Sequence, residues 1–143
     1  MQGLSEIAVG LIMVVLTTII HALFMVSGNH VAEWHRAHRR TRRTLPKAVL
    51  VSGLTAWQFV AVVIEGLMWA FVYLYIPSIE QLPDLQTALY FSMTTFTTLG
   101  YGDILLEGGW RVLASFQAAN GVIIFGWTTA LIFHYIQRIY GRV

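Results

Sequence analysis

Three long apolar stretches constrain the fold of this chain more than any other feature. Residues 7–26, 48–76 and 110–135 are each long enough to cross roughly 30 Å of hydrocarbon as an α-helix. The composition agrees, because 57% of the residues are hydrophobic and 11% are charged, whereas soluble domains carry about 25% charged residues. Cysteine is absent, so the chain has neither a disulfide framework nor a thiolate metal site. We therefore predict an all-α integral membrane protein with three transmembrane helices.

A shorter apolar stretch, residues 85–99, is unsuited to cross the membrane. It is rich in hydroxyl side chains and runs directly into glycines, and irregular backbone is tolerated at membrane depth only where protein or water surrounds it. We therefore expect a short helix over 85–97 that enters the membrane and turns back as a re-entrant loop. Asp84 is suited to cap this helix, because its carboxylate can accept hydrogen bonds from the unpaired amides of the first turn.

The segment after this helix carries the most specific motif of the chain. Residues 98–103 read Thr-Leu-Gly-Tyr-Gly-Asp, and two glycines that flank a tyrosine let the backbone adopt positive φ, so that successive carbonyl groups can turn toward one axis. Such a ladder of oxygen atoms can replace the water around a dehydrated K⁺ ion, and the Thr98 hydroxyl can add one more oxygen. The alternative interpretation is an ordinary turn between two membrane helices.

With this motif the chain resembles the pore domain of potassium channels, whose filter reads Thr-(Val or Ile)-Gly-Tyr-Gly-Asp after a short helix rich in aromatic and hydroxyl residues. The resemblance implies a pore domain over 48–143, whereas 1–47 has no counterpart and is expected to form an additional transmembrane helix and a basic cytoplasmic connection. The implied outer helix, pore helix, selectivity filter and inner helix cover 48–76, 85–97, 98–103 and 110–137.

The resemblance also implies roles for the filter residues. Carbonyl groups and the threonine hydroxyl would form the K⁺ sites, and the glycines would supply backbone freedom; these residues are Thr98, Leu99, Gly100, Tyr101 and Gly102, with K⁺ held at the first four. Four identical subunits are then required, because one loop supplies only a quarter of each oxygen cage. K⁺ is the permeant ion, and no cofactor is expected. Leu99 stands where the family carries valine or isoleucine.

Three further residues are expected to support the filter. Asp103 would lie at its outer mouth, while Tyr90 and Thr94 stand where many relatives carry tryptophan and glutamate. Tyr90 can still donate a hydrogen bond to Asp103. Thr94 is short and neutral, so the slow filter closure of some relatives is not carried over to this chain.

The third span resembles the inner helix of the family. Gly121 matches the position described as a gating hinge, and a glycine weakens a helix by about 1 kcal/mol relative to alanine. Small residues also let membrane helices approach closely, so both interpretations stay open. Two sets of residues recur at helical spacing: Val122, Phe125 and Thr129 are expected to face an aqueous cavity, and Gln117 and Asn120 to share another polar strip.

Glu65 lies deep in the second span, where an ionised carboxylate is costly and needs a partner or a proton. Candidate partners are hydroxyls of the short helix or His21 of the first span; the hydroxyls belong to Ser92, Thr94 and Thr95. Our hypothesis is that Glu65 ties the outer helix to the pore helix and, with His21, forms a buried proton site. The alternative is a protonated residue without a regulatory role.

Basic residues predict the orientation in the membrane. They crowd the first connection, at Arg36, Arg39, Arg40, Arg42, Arg43 and Lys47, and follow the third span at Arg138 and Arg142. Because cytoplasmic loops are enriched in Lys and Arg, the N-terminus is expected outside and the C-terminus in the cytoplasm, in the plasma (cell inner) membrane. The five arginines of the first connection are expected to contact anionic lipid. Ser27-Gly28-Asn29 is expected to end the first helix through a glycine cap.

Several other functions are weaker alternatives. His30, His35 and His38 with Glu33 have side chains suited to a metal site, but we expect a solvated interfacial stretch. A membrane enzyme is disfavoured because five histidines without cysteine or a regular ligand pattern do not form the site that such chemistry needs. We expect a passive K⁺-selective channel with lipid and its own copies as partners, and no nucleic acid. A less selective cation channel or a non-conducting subunit of a channel complex remain the alternatives.

Overall fold

The structure, a computed structural model, describes residues 2–38 and 46–140. In these ranges it has four helices and no strand, so the predicted all-α class is confirmed. The helices are α1 (Gln2–His38), α2 (Lys47–Leu74), α3 (Leu85–Phe96) and α4 (Trp110–Tyr140). Three of them, α1, α2 and α4, are long and apolar enough to span a membrane. The short helix α3 lies between the second and third spans along the chain.

The ends of α2 and α4 differ slightly from the expected bounds. The outer helix, expected over 48–76, ends at Leu74, because Tyr75 forms the C-cap and the amide of Ile76 bonds to the Tyr73 carbonyl in a tighter turn at 3.3 Å. Pro77 follows, and proline has no amide with which to continue a helix. At the other end of the pore region, α4 continues to Tyr140, three residues beyond the expected 137.

The expected end of the first helix at Ser27-Gly28-Asn29 is wrong, because α1 continues to His38. Gly28 serves packing instead of capping: a methyl group there would overlap the Tyr135 hydroxyl of α4. Ser27 donates to the Phe24 carbonyl at 2.8 Å and accepts a hydrogen bond from Trp57 of α2 at 2.9 Å. The glycine is therefore needed for a close helix crossing.

Helix α1 packs against both long helices of the pore region. It runs antiparallel to α2, since His21 contacts Glu65 and Ser27 contacts Trp57. It runs parallel to α4, because successive positions of α1 meet successive positions of α4, in the pairs Gly10–Phe116, Thr17–Asn120, His21–Thr128 and Glu33–Arg138. The N-termini of α1 and α4 therefore lie at the same end of the molecule.

Two apolar clusters form the core. The larger cluster joins α2, α3, α4 and Met13 of α1, and its largest buried side chains include Trp69, Tyr73, Phe96 and Leu113. The smaller cluster joins the other ends of the three long helices and contains Ala32, Leu50, Leu54, Leu131, Tyr135 and Ile139. The short helix α3 is thus embedded in the core at one end of the bundle only.

Asp84 begins α3 as expected. Its backbone is extended, with φ of −144°, and its carboxylate accepts a hydrogen bond from the Thr87 amide at 2.8 Å. This bond to the ionised form holds the pKa of Asp84 below its ordinary value. The side chain therefore stabilises the first turn as a carboxylate at neutral pH.

Candidate functional site

The segment after α3 has an unusual backbone. Thr98, Gly100 and Gly102 have φ of +60°, +48° and +78°, which is the left-handed region that glycine adopts without strain. A Cβ at Gly100 or Gly102 would meet no atom within 4 Å, so conformation, not space, requires these glycines. The positive φ of Thr98 was not expected from the sequence, since threonine is a β-branched residue that rarely adopts it.

The same segment lies at the surface of the subunit. Residues 97–103 are exposed without a break, and the side chains of Leu99 and Tyr101 have exposed fractions of 55% and 67%. Backbone hydrogen bonds tie the segment back to α3: the Thr98 amide donates to the Thr95 carbonyl at 3.0 Å, and the Gly100 amide donates to the Thr94 carbonyl at 3.1 Å. A stretch of irregular, exposed backbone therefore follows directly on the C-terminus of α3.

The end of this segment is linked to α3 through Tyr90. Its hydroxyl donates to the Asp103 carboxylate at 2.7 Å, which is the bond expected from the sequence. This bond raises the pKa of Tyr90, because the proton it donates is held by a carboxylate. Thr94 instead donates to the Phe91 carbonyl at 3.0 Å. A cavity of about 260 Å³, lined in part by Tyr101, Asp103 and Arg111, lies beside the segment.

Behind α3, buried polar groups connect three helices. Ser92 of α3 donates to the Gly66 carbonyl of α2 at 2.6 Å, and the Gln117 amide of α4 donates to the Ser92 hydroxyl at 2.7 Å. Tyr73 of α2 completes the set by donating to Gln117 at 2.7 Å. Gln117 and Asn120, expected to share a polar strip, are both buried but contact different helices, since Asn120 donates to Thr17 of α1 at 2.6 Å.

Gly121 lies where α4 meets the C-terminal end of α3. A methyl group there would overlap the carbonyl group of Phe96, and α4 is a continuous helix through this position. The geometry favours the close-approach interpretation over the hinge. Of the residues expected to face a cavity, Val122 and Thr129 are exposed, while Phe125 is partly buried, with its ring centroid 5.8 Å from that of Phe96.

Glu65 and His21 lie together in the interior of the bundle. The His21 Nδ1 atom is 3.1 Å from Glu65 Oε1, and its Nε2 atom is 3.2 Å from the Thr128 hydroxyl of α4. The expectation that Glu65 ties α2 to the pore helix is wrong, because Ser92 donates to the Gly66 carbonyl. Glu65 contacts the first helix instead, and its Oε2 atom has no hydrogen-bond partner in the described part of the chain.

The histidines at the end of α1 do not form a metal site in the structure. No group of three His, Asp or Glu side chains among residues 2–38 and 46–140 is placed to hold a metal ion. Glu33 forms an ion pair with Arg138 at 2.7 Å, and His38 Nδ1 lies 2.9 Å from the Trp34 carbonyl. The stretch expected to be a solvated interfacial segment is helical up to His38, and His35 in it is buried. The expected lipid contacts at Arg39, Arg40, Arg42 and Arg43 lie outside the described residues, as does the side chain of Arg36.

Three membrane-spanning helices and a short embedded helix that ends in an exposed, glycine-containing segment define a pore-loop membrane channel. The family model described as "Ion channel" matches residues 54–138, and the chain belongs to this family, which comprises the two-helix K⁺ channel pores. Comparisons with curated proteins and with solved structures give no match. The match covers most of α2 and all of α3, and nearly all of α4, whereas α1 lies outside it.

Proposed function

We propose that this ion channel is selective for K⁺ and conducts it passively through a filter formed by residues 98–102 of four identical subunits. The observation that carries the proposal is the exposed segment with positive φ at Thr98, Gly100 and Gly102. Exposed irregular backbone cannot face lipid, because its polar groups would lose their hydrogen bonds. Backbone that borders an ion pathway has water and ions as partners.

A fourfold arrangement follows from the geometry of ion coordination. One strand of carbonyl groups contributes one side of each site, so several copies must surround the axis to replace the hydration shell of K⁺. Closed rotational symmetry is the usual way for identical subunits to achieve this. The large exposed side chains of Leu99 and Tyr101 would then pack against neighbouring subunits and hold the ladder open.

Charge at the two ends of the filter supports conduction of a cation. The C-terminus of α3, at Phe96, carries the negative end of the helix dipole toward the inner side of the filter. The Asp103 carboxylate, held by Tyr90, lies at the outer side. Ions at adjacent sites repel each other, so that binding does not trap them. Transport involves no catalytic step.

The orientation proposed from the basic residues fits the helix directions. Because α1 and α4 are parallel and the filter precedes α4, the N-terminus lies on the filter side of the membrane. The positive-inside rule then places the filter outside and the C-terminus in the cytoplasm, in the plasma membrane. Anionic lipids are proposed to contact the arginines of the first connection.

Flux from liposomes tests this function. Purified protein reconstituted with internal K⁺ should release K⁺ through the filter and discriminate strongly against Na⁺, measured with external Na⁺ or K⁺ in matched vesicles. Equal flux of the two ions would support the less selective cation channel. No flux of either ion in vesicles that contain assembled tetramer would support a non-conducting subunit.

A further inference from the structure

Gln117 is the only side chain in the described residues that bonds to both α2 and α3 from α4. It is fully buried, as are Ser92 and Tyr73. Its Nε2 atom donates to the Ser92 hydroxyl at 2.7 Å and to the Ser92 carbonyl at 3.2 Å, and its Oε1 atom accepts from Tyr73 at 2.7 Å. Both N–H groups of the Gln117 amide are therefore bonded to the pore helix.

The orientation of this amide is determined by its partners. The Ser92 carbonyl can only accept, so the nitrogen of Gln117 must face α3. The Ser92 hydroxyl donates its proton to the Gly66 carbonyl at 2.6 Å and accepts a hydrogen bond from Gln117. The oxygen of Gln117 then faces the Tyr73 hydroxyl, which donates. Donors and acceptors match in one arrangement only, which makes the network rigid.

The network acts on the half of α3 that leads into the filter. Ser92 is six residues before Thr98, which is about 9 Å along a helix. One turn further, Gly121 of α4 lies directly against the Phe96 carbonyl, and Gly66 of α2 lies against Met93. Contacts with both neighbouring helices thus fix the depth and direction of the end of α3, from which the exposed segment starts.

We propose that Gln117 is a positioning residue for ion selectivity: it holds the end of the pore helix where the four filter strands must begin. This inference rests on the proposed K⁺ selectivity. Gln117 touches no permeant ion and acts through Ser92. A filter that discriminates by the spacing and number of its oxygen atoms is sensitive to small shifts at its base, so loss of the network should change selectivity before it abolishes conduction.

Asn120 provides a matched control on the same helix. It is an amide, it is as buried as Gln117, and it lies one turn further along α4. Its hydrogen bond goes to Thr17 of α1 at 2.6 Å, and none of its bonds reaches α3. A general effect of removing a buried amide from α4 would appear in variants of both residues, whereas an effect on filter position would appear only at Gln117.

The experiment compares Gln117→Met and Asn120→Leu, two apolar substitutions of similar side-chain length, with the wild-type protein. K⁺/Na⁺ permeability ratios are measured from bi-ionic reversal potentials in planar bilayers, after the tetramer has been isolated by size exclusion. We expect the ratio to fall about tenfold in Gln117→Met, as the loss of a buried hydrogen-bond set would allow, and to remain within twofold of wild type in Asn120→Leu.

Other outcomes overturn the inference separately from the function. A selective wild-type channel with an unchanged ratio in Gln117→Met, or equal losses in both variants, contradicts the role of Gln117 but leaves the proposed function intact. A non-selective wild-type channel contradicts both. If Gln117→Met does not assemble, Tyr73→Phe decides, because it removes one hydroxyl from the network and preserves the ring. A fall in its ratio of about threefold supports the inference, and an unchanged ratio overturns it.

Discussion

Two of the buried polar contacts between the helices differ in kind. The contact that holds α3 consists of neutral groups: Gln117, Ser92 and Tyr73 satisfy one another at 2.6 to 3.2 Å. A contact that holds α1 contains an ionisable pair, His21 and Glu65. The Oε2 atom of Glu65 has no hydrogen-bond partner in the described part of the chain. The neutral network keeps its bonds at any physiological pH, whereas the bonds of the ionisable pair depend on where a proton lies.

The proton arrangement of the ionisable pair follows from Thr128. Its hydroxyl donates to the Ile124 carbonyl at 2.9 Å, so the His21 Nε2 atom, 3.2 Å away, is the donor to Thr128. One further proton is then shared between His21 Nδ1 and Glu65 Oε1. Removing this proton would leave a carboxylate against a bare ring nitrogen, and α1 would lose one of its hydrogen bonds to α2, while the bond from Trp57 to Ser27 would remain. The pore helix is thus held by neutral groups, whereas the attachment of α1 includes an ionisable pair.

The largest effect is expected where α4 meets α3 without any spare room. Gly121→Ala would place a methyl group on the Phe96 carbonyl, a backbone atom that cannot rotate away, and should destabilise the assembled channel by about 3 kcal/mol. Gly126→Ala is the matched control, because its methyl group would meet no atom within 4 Å and alanine favours a helix by about 1 kcal/mol. Thermal unfolding of the tetramer in detergent measures both. Equal stability of Gly121→Ala and wild type would favour the hinge interpretation.

A smaller, pH-dependent effect is expected at the attachment of α1. Glu65→Gln keeps the shape of the side chain and can donate an amide N–H to His21 Nδ1, but it cannot ionise, so the pH dependence of open probability should become flat while stability falls by about 1 kcal/mol at most. Single-channel recordings over a series of pH values measure the first effect. Glu33→Gln breaks an exposed ion pair with Arg138 and should change stability by less than about 1 kcal/mol. An unchanged pH response in Glu65→Gln would contradict the proton site.

A third effect is expected at the outer end of the filter, where the contact is exposed. Tyr90→Phe removes the hydroxyl that donates to Asp103 at 2.7 Å, so currents should begin to decay during prolonged opening, which is not expected of the wild type, with little change in the amount of tetramer. Recordings of steady-state current in symmetrical K⁺ measure the decay. A current as steady in Tyr90→Phe as in the wild type would mean that this bond does not support the filter.

The smallest effect is expected at the N-terminus of α3. The pKa of Asp84 is lowered in the folded protein by the Thr87 amide, so its contribution to stability is complete above the ordinary value of 3.8 and is lost as the pH falls below that value through the folded pKa. Asp84→Asn retains a capping oxygen and should reduce this acid sensitivity. Unfolding curves at about pH 3 to 6, the range in which carboxylates titrate, test this prediction. Identical curves for Asp84→Asn and the wild type would show that ionisation of Asp84 does not contribute to the acid sensitivity.

Features set by neighbouring residues could be predicted from the sequence. The capping of α3 by Asp84, the hydrogen bond from Tyr90 to Asp103 and the positive φ of Gly100 and Gly102 are all present in the structure. Each depends on residues close in the chain, for which spacing and chemical type decide the outcome.

Features set by the rotation of one helix against another could not be predicted. His21 and Glu65 are 44 positions apart, and Thr17 and Asn120 are 103 apart, so the sequence does not tell which of several polar groups Glu65 will meet. Gly28 illustrates the same difficulty, because a glycine after an apolar run suits a helix cap as well as a close crossing. The partners of Gln117 belong to this class too.

The central claim is that residues 98–102 of four copies surround one axis. An electron cryomicroscopy reconstruction of the purified protein in lipid nanodiscs with K⁺ tests it most directly. We expect a fourfold particle with ion density on its axis, level with the backbone oxygen atoms of Thr98, Leu99, Gly100 and Tyr101. A particle without fourfold symmetry, or one in which these oxygen atoms face away from the axis, would contradict it.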